Sequence, residues 1–132
     1  MILQNGAQNV TIIPGRHVIV SSGVGKTNVD ELKWLTKTVL SNASLWKGTG
    51  WAYIADCSKM EPVTMEEGGV LVEMTKAFVD AGCKAFGFAE GNSIMLKVQA
   101  QQNTKQSNTG VPEAHFATVD EALDWIKKDF NL

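Results

Sequence analysis

The stretch His17–Leu35, HVIVSSGVGKTNVDELKWL, decides how this chain is read. An apolar, β-branched run passes through a glycine-rich segment into a helical pattern, so it predicts a strand, a loop and a helix. Its middle, Ser21–Thr27 (SSGVGKT), looks like the phosphate-binding loop of a nucleotide enzyme, whose pattern is G-x-x-x-x-G-K-S/T. Counting back five residues from Gly25 lands on Val20, which reads as the end of the strand and not as the glycine that opens such a turn. The helix that follows supplies its own cap, since Asn28 and Glu31 have capping-box spacing. Asp30 and Glu31 also place negative charge where a phosphate would sit. Asp56, closing the apolar run WAYIAD (Trp51–Asp56), stands on the other side, as a strand end that could hold Mg²⁺. The weight falls on a glycine-rich turn leading into a capped helix, with Lys26 and Thr27 solvated.

Outward from that stretch, two short strands over NVTIIPGRHVIVS (Asn9–Ser21) flank the turn Pro14-Gly15 and should pair antiparallel. Val29, Leu32, Leu35 and Val39 have helical spacing. Trp51–Asp56 reads as a buried strand, and Met65–Ala81 as a helix with Val70, Met74, Ala77, Phe78 and Ala81 on one face and Gly82 at its end. KAFGFA (Lys84–Ala89) is a strand and SIMLKVQA (Ser93–Ala100) a short helical run. QQNTKQSNTG (101–110) has no apolar residue and reads as a mobile loop. A short strand at Ala114–Ala117 precedes a final helix over Thr118–Lys128. The order is β-β-α-β-α-β-α-β-α. It predicts an α/β fold in one domain, residues 1–132: a mixed, mostly parallel sheet with an N-terminal β-hairpin and about four helices.

Composition narrows the function classes. An apolar fraction of 44%, a charged fraction of 20% and a formal net charge of −2 suit a globular chain and give no electrostatic footprint for nucleic acid. No apolar run reaches membrane-spanning length, and the N-terminus has no export signal, so membrane insertion is not expected and the expected location is the cytoplasm. Cys57 and Cys83 form no C-x-x-C pair and read as free, partly buried thiols. No His/Cys/Asp spacing suits a metal and no G-x-S-x-G elbow occurs, so neither cofactor nor catalytic residue is indicated. His17 and His115 begin strands and read as surface or edge residues that nothing orients, although Glu113 lies two residues before His115. Trp34 falls off the main stripe of its helix, and an exposed aromatic there would mark a partner surface.

The element order, the strand WAYIADCSKM (Trp51–Met60) leading to an apolar-faced helix, and the ending AHFATVDEALDWIKK (Ala114–Lys128) resemble the STAS domain. The likeness is closest to the SpoIIAA-like group of small bacterial proteins and covers nearly all of the chain from Val10. It implies a non-enzymatic, cytoplasmic regulatory module acting through an unidentified protein partner, with a homodimer left open. Regulators of this family carry D-S-S/T-G at the start of the second helix, and a partner kinase phosphorylates its serine. The matching region here is VTMEEGG (Val63–Gly69), with Thr64 in place of the aspartate, Met65 in place of the serine, and Glu66 and Glu67 after them. The phosphoacceptor is missing, so no phosphoserine switch carries over. SpoIIAA-like proteins also resemble the CRAL-TRIO lipid-binding fold, which implies a cleft between helices and sheet. Met74, Phe78, Met95 and Leu96 could line such a cleft or simply fill the core.

Three functions follow as expectations: a protein-interaction regulator, a carrier or sensor of a small apolar ligand, and a nucleotide hydrolase built on Gly25, Lys26 and Thr27. In an open α/β sheet the loops at strand C-termini and helix N-termini form the working edge. The partner-binding candidates are therefore Ser22, Gly23, Lys26 and Thr27, with Lys59, Thr64, Met65 and Glu66. The competing surface is the opposite end, around Trp46, Gly48, Gly50 and the 101–110 segment.

Overall fold

The computed structural model describes residues 2–132. One six-stranded sheet is built from β1 (Ile2–Asn5), β2 (Gln8–Ile12), β3 (Val18–Gly25), β4 (Trp51–Met60), β5 (Cys83–Ala89) and β6 (Glu113–Phe116), β-branched residues being concentrated in β2 and β3. The strands lie side by side in chain order. β1/β2 and β2/β3 are antiparallel, and the three remaining pairs are parallel. Four helices follow the parallel strands: α1 (Val29–Ala43), α2 (Met65–Asp80), α3 (Ile94–Ser107) and α4 (Val119–Phe130).

Helix placement follows from that order. Each of the first three helices crosses between neighbouring parallel strands in the same direction, and right-handed crossovers then put all three on one face. The core divides accordingly. Ile19, Tyr53 and Phe86 pack with Leu35, Met74 and Phe78 on that face, while Val18, Val20 and Ile54 pack with Ala122 and Ile126 of α4 on the other. Gly87 makes the second packing close, because a Cβ there would stand 3.2 Å from that of Ala122. No helix among the described residues is long and apolar enough to cross a membrane.

The expected mixed sheet, its early hairpin and the four helices are present, with differences at the margins. The turn Pro14-Gly15 forms as read: Arg16 N–H donates to the Ile13 carbonyl at 3.2 Å, and Gly15 has φ 73°. β1 is an additional strand. Its signal was Asn5-Gly6, a hairpin dipeptide, and Gly6 has φ 56° between paired Asn5 and Gln8. The segment 101–110 is not a loop, since α3 continues to Ser107 and stops at Asn108 in the left-handed conformation, φ 52°. Its polar glutamines and lysine are good helix formers on a largely solvent-facing stretch, so the lack of apolar residues did not signal the absence of a helix. None of the four tryptophans is fully exposed: Trp51 is fully buried, and Trp34, Trp46 and Trp125 are half-buried. Trp34, off the main stripe of its helix, is partly exposed, its ring packed against the edge of the core.

Gly82 ends α2 with φ 97°, and a Cβ on it would meet the Lys47 carbonyl oxygen at 2.6 Å. Backbone on both sides cannot give way cheaply. Gly82→Ala should cost about 1–3 kcal/mol, read as a lower urea midpoint at unchanged m-value.

Candidate functional site

The glycine-rich stretch is strand, not loop. Gly23 pairs with Gln8 across β2, Val24 N–H donates to the Ala7 carbonyl at 3.1 Å, and Gly25 pairs with Met60. A register shift between Ser22 and Val24 marks a bulge. Met60 lies over Gly23: a Cβ there would come within 2.4 Å of the Met60 sulfur, so that side chain would have to move aside. The backbone donors that would cradle a phosphate are thus drawn into the sheet, and Asn28 caps α1 by accepting from Glu31 N–H at 2.9 Å. Thr27 is buried, contrary to its expected solvation. It accepts from Gln8 Nε2 and donates to Glu31 Oε1, both at 3.0 Å, tying β2 to the start of α1. Lys26 is exposed.

Close packing gives out at the carboxyl half of β3 and β4. Large side chains fill the first half of the helix-covered face: Ile19, Trp51 and Tyr53 under Phe78. One alternation further along, the inward residues are Ser21, Gly23 and Ala55, too small to reach the helices. The result is a cavity of about 100 Å³ between sheet, α1, α2 and α3. Its walls are mostly apolar, from Leu35 and Leu71 to Phe86, Phe88 and Leu96. Met74 and Leu96 line it as the cleft reading implies, whereas Phe78 is core and Met95 is exposed on the outer side of α3. The Tyr53 hydroxyl and Ser21 Oγ form a hydrogen-bonded pair within the cavity wall. At its rim, Gln99 on α3 holds both backbone groups of Val63, donating to its carbonyl and accepting from its N–H at 3.1 Å each.

Burial, then the negative charges of Glu90 and Asp56, pushes the Cys57 thiol up from 9.0 to about 12. Burial does the same to Cys83, also to about 12, and raises Tyr53. Both cysteines are free, and neither is an activated nucleophile.

The histidines are both oriented, contrary to expectation. His17 stacks on Trp46 at 4.7 Å. His115 stacks on Phe88, with Nδ1 2.8 Å from Glu90 Oε2 and Nε2 3.0 Å from Glu113 Oε2. Glu113 was readable as a same-face neighbour two residues away. Glu90 was not, because the β5/β6 register brings it there across 25 positions. The two ring nitrogens face opposite ways, and among the described residues no group of His, Cys, Asp and Glu is placed to hold a metal ion.

The remaining candidates lie at the carboxyl end of the sheet, in different environments. Gly23 is buried and Ser22 half-buried, while Lys59, Thr64, Met65 and Glu66 are exposed. Thr64 caps α2 in a reciprocal box with Glu67, accepting from its N–H at 3.1 Å while Glu67 Oε1 accepts from Thr64 N–H at 3.2 Å.

Among solved structures the chain is similar to that of an uncharacterised protein of the DUF3478 family from Shewanella loihica PV-4, described as having a SpoIIAA-like fold. The match has a TM-score of 0.67 at 13% identity and covers 90% of this chain and 91% of that one. The fold is SpoIIAA-like. No family model matches the sequence, and no curated protein matches it. At this identity the likeness concerns architecture, so the site rests on its own geometry.

The raised thiols have a consequence for stability. Unfolded cysteines lose protons near 9.0, whereas the folded ones keep them to about 12. The folded state therefore binds more protons over that window, and stability falls as pH rises through it. Denaturation midpoints should be level from pH 7 to 9 and decline above 9, less steeply in a Cys57→Ala/Cys83→Ala variant.

Proposed function

We propose that this SpoIIAA-like chain acts by binding rather than by turnover, as a carrier or sensor of a small apolar molecule held between the sheet and α1–α3. The supporting observation is the mostly apolar cavity beneath the helices, where Ser21, Gly23 and Ala55 leave space that larger residues would fill. Its size is of the order that admits a benzene-sized guest, which sets the ligand class. The neutral, buried thiols and the committed backbone donors of Ser22–Gly25 support neither nucleophilic nor nucleotide chemistry. Toluene should raise the melting temperature of the native protein, and the rise should grow with the logarithm of its concentration above the dissociation constant. Ala100→Phe, which adds a ring to the wall on α3, should remove that effect. An unchanged melting temperature at saturating toluene would refute the reading.

A second reading, regulation through a protein partner, draws on the apolar side chains left in solvent. At the carboxyl end of the sheet Val24, Met65, Ile94 and Met95 are 58%, 95%, 79% and 61% exposed, against Leu45, next to Trp46, at 89% on the opposite end. Lys26→Glu and Glu66→Lys, tested separately, should weaken partner capture severalfold at unchanged melting temperature, while Trp46→Ala captures normally. The reverse pattern would move the surface to the opposite end.

A further inference from the structure

The cavity's wall carries a buried hydroxyl pair whose hydrogen-bonding needs the protein leaves half met. In the parallel register Tyr53 stands beside Ile19, and Ser21 beside Ala55. All four side chains share a face, so the tyrosine ring reaches one alternation along and its hydroxyl meets Ser21 Oγ. Tyr53 is 2% exposed and Ser21 4%. Two hydroxyls carry two protons, but the bond between them uses only one. Whichever oxygen donates, the other O–H still needs an acceptor. Among the described residues the mutual bond is the one protein hydrogen bond either hydroxyl makes. The other hydroxyls on the wall are committed elsewhere: Thr75 donates to the Leu71 carbonyl at 2.9 Å and Thr104 to the Ala100 carbonyl at 3.0 Å. The pair therefore presents one donor to a space bounded by Leu32, Leu35, Phe86 and Phe88. Burial keeps the phenol protonated, so the donor persists at neutral pH.

We infer that the Ser21–Tyr53 hydroxyl pair is the recognition element of this cavity, and that its ligand is a small apolar molecule bearing a hydrogen-bond acceptor, such as a ketone, aldehyde or ester. A purely hydrocarbon guest would leave the donor unsatisfied in an apolar surrounding, which is costly. A guest that is itself mainly a donor would find the pair's lone pairs but still not satisfy the free proton. A water molecule can accept that proton, yet it would meet apolar walls on its other sides, so exchanging it for a carbonyl loses little. The inference rests on the cavity binding a small apolar molecule at all, and the test separates the two claims.

Cyclohexanone and methylenecyclohexane have nearly the same shape and differ by oxygen against a methylene group. Their dissociation constants should be measured by NMR titration on the native protein and on the Ser21→Ala/Tyr53→Phe double variant. Replacing both partners of one hydrogen bond by apolar groups is close to neutral for folding, and the melting temperature checks this. The expected result is that the ketone's advantage, the ratio of the alkene's constant to the ketone's, falls roughly 3- to 10-fold in the double variant, the size of one neutral hydrogen bond. The ¹³C carbonyl resonance of bound ketone should also move to higher frequency in the native protein and not in the variant. If both probes bind and the ratio and carbonyl shift are the same in the two proteins, the hydroxyl pair is not the recognition element, while the apolar cavity stands. If neither probe binds the native protein, both the inference and the reading beneath it are overturned.

Discussion

The seating of Phe78 on Tyr53 and Trp51 is the contact on which the helix-covered side depends. The three rings meet edge to face, with centroids 4.8 Å apart for Tyr53–Phe78 and 5.5 Å for Trp51–Phe78, and Phe86 joins Tyr53 at 6.2 Å. This cluster fixes how high α2 stands above the sheet. Where the rings stand, the space between the layers is full. Where the strands carry serine, glycine and alanine, the same separation leaves a gap. The cavity thus follows from one rigid spacing applied to strands whose side chains shrink along their length. The same tyrosine has a ring in the packed half and a hydroxyl in the open half.

The glycine-rich stretch shows how a local pattern can belong to two structures. Val-Ser-Ser-Gly-Val-Gly followed by a capped helix suits a phosphate loop nearly as well as it suits a strand with a bulge. What separates them is not in the stretch. Gln8, Met60 and Ala7 come from elsewhere in the chain: Gln8 pairs with Gly23, Ala7 accepts from Val24 N–H, and the Met60 side chain covers Gly23. Val20 in place of the first loop glycine was the local trace of that outcome, since it lies in the paired part of β3.

Much of the architecture was legible because it rests on periodicity and on short-range chemistry. Apolar runs marked β3, β4 and β5, helical spacing marked α1 and α2, and the Thr64 cap was readable from a glutamate three residues on. Misreadings arose where residue polarity stood in for structure. By polarity alone the end of α3 reads as a loop and Thr27 as solvent-facing, although one is a helix turned outward and the other a buried link. The candidate site was less legible still. Met74 and Leu96 could be nominated for a cleft, but whether a stripe is wall or filler depends on the size of residues opposite, here Ser21 and Ala55, which only the strand register reveals. The same holds for Glu90 and His115, joined by register across unrelated segments.

The double hydrogen bond from Gln99 to Val63 bears on time rather than affinity. One amide grips both polar groups of one peptide residue, so the loop before α2 cannot slide along α3; it is either clasped or released. Release would expose a buried rim to water in a single step, and loop motions of this kind fall between nanoseconds and microseconds. How fast water reaches that rim is then set by how often a glutamine lets go, on a clock separate from the packing of the interior.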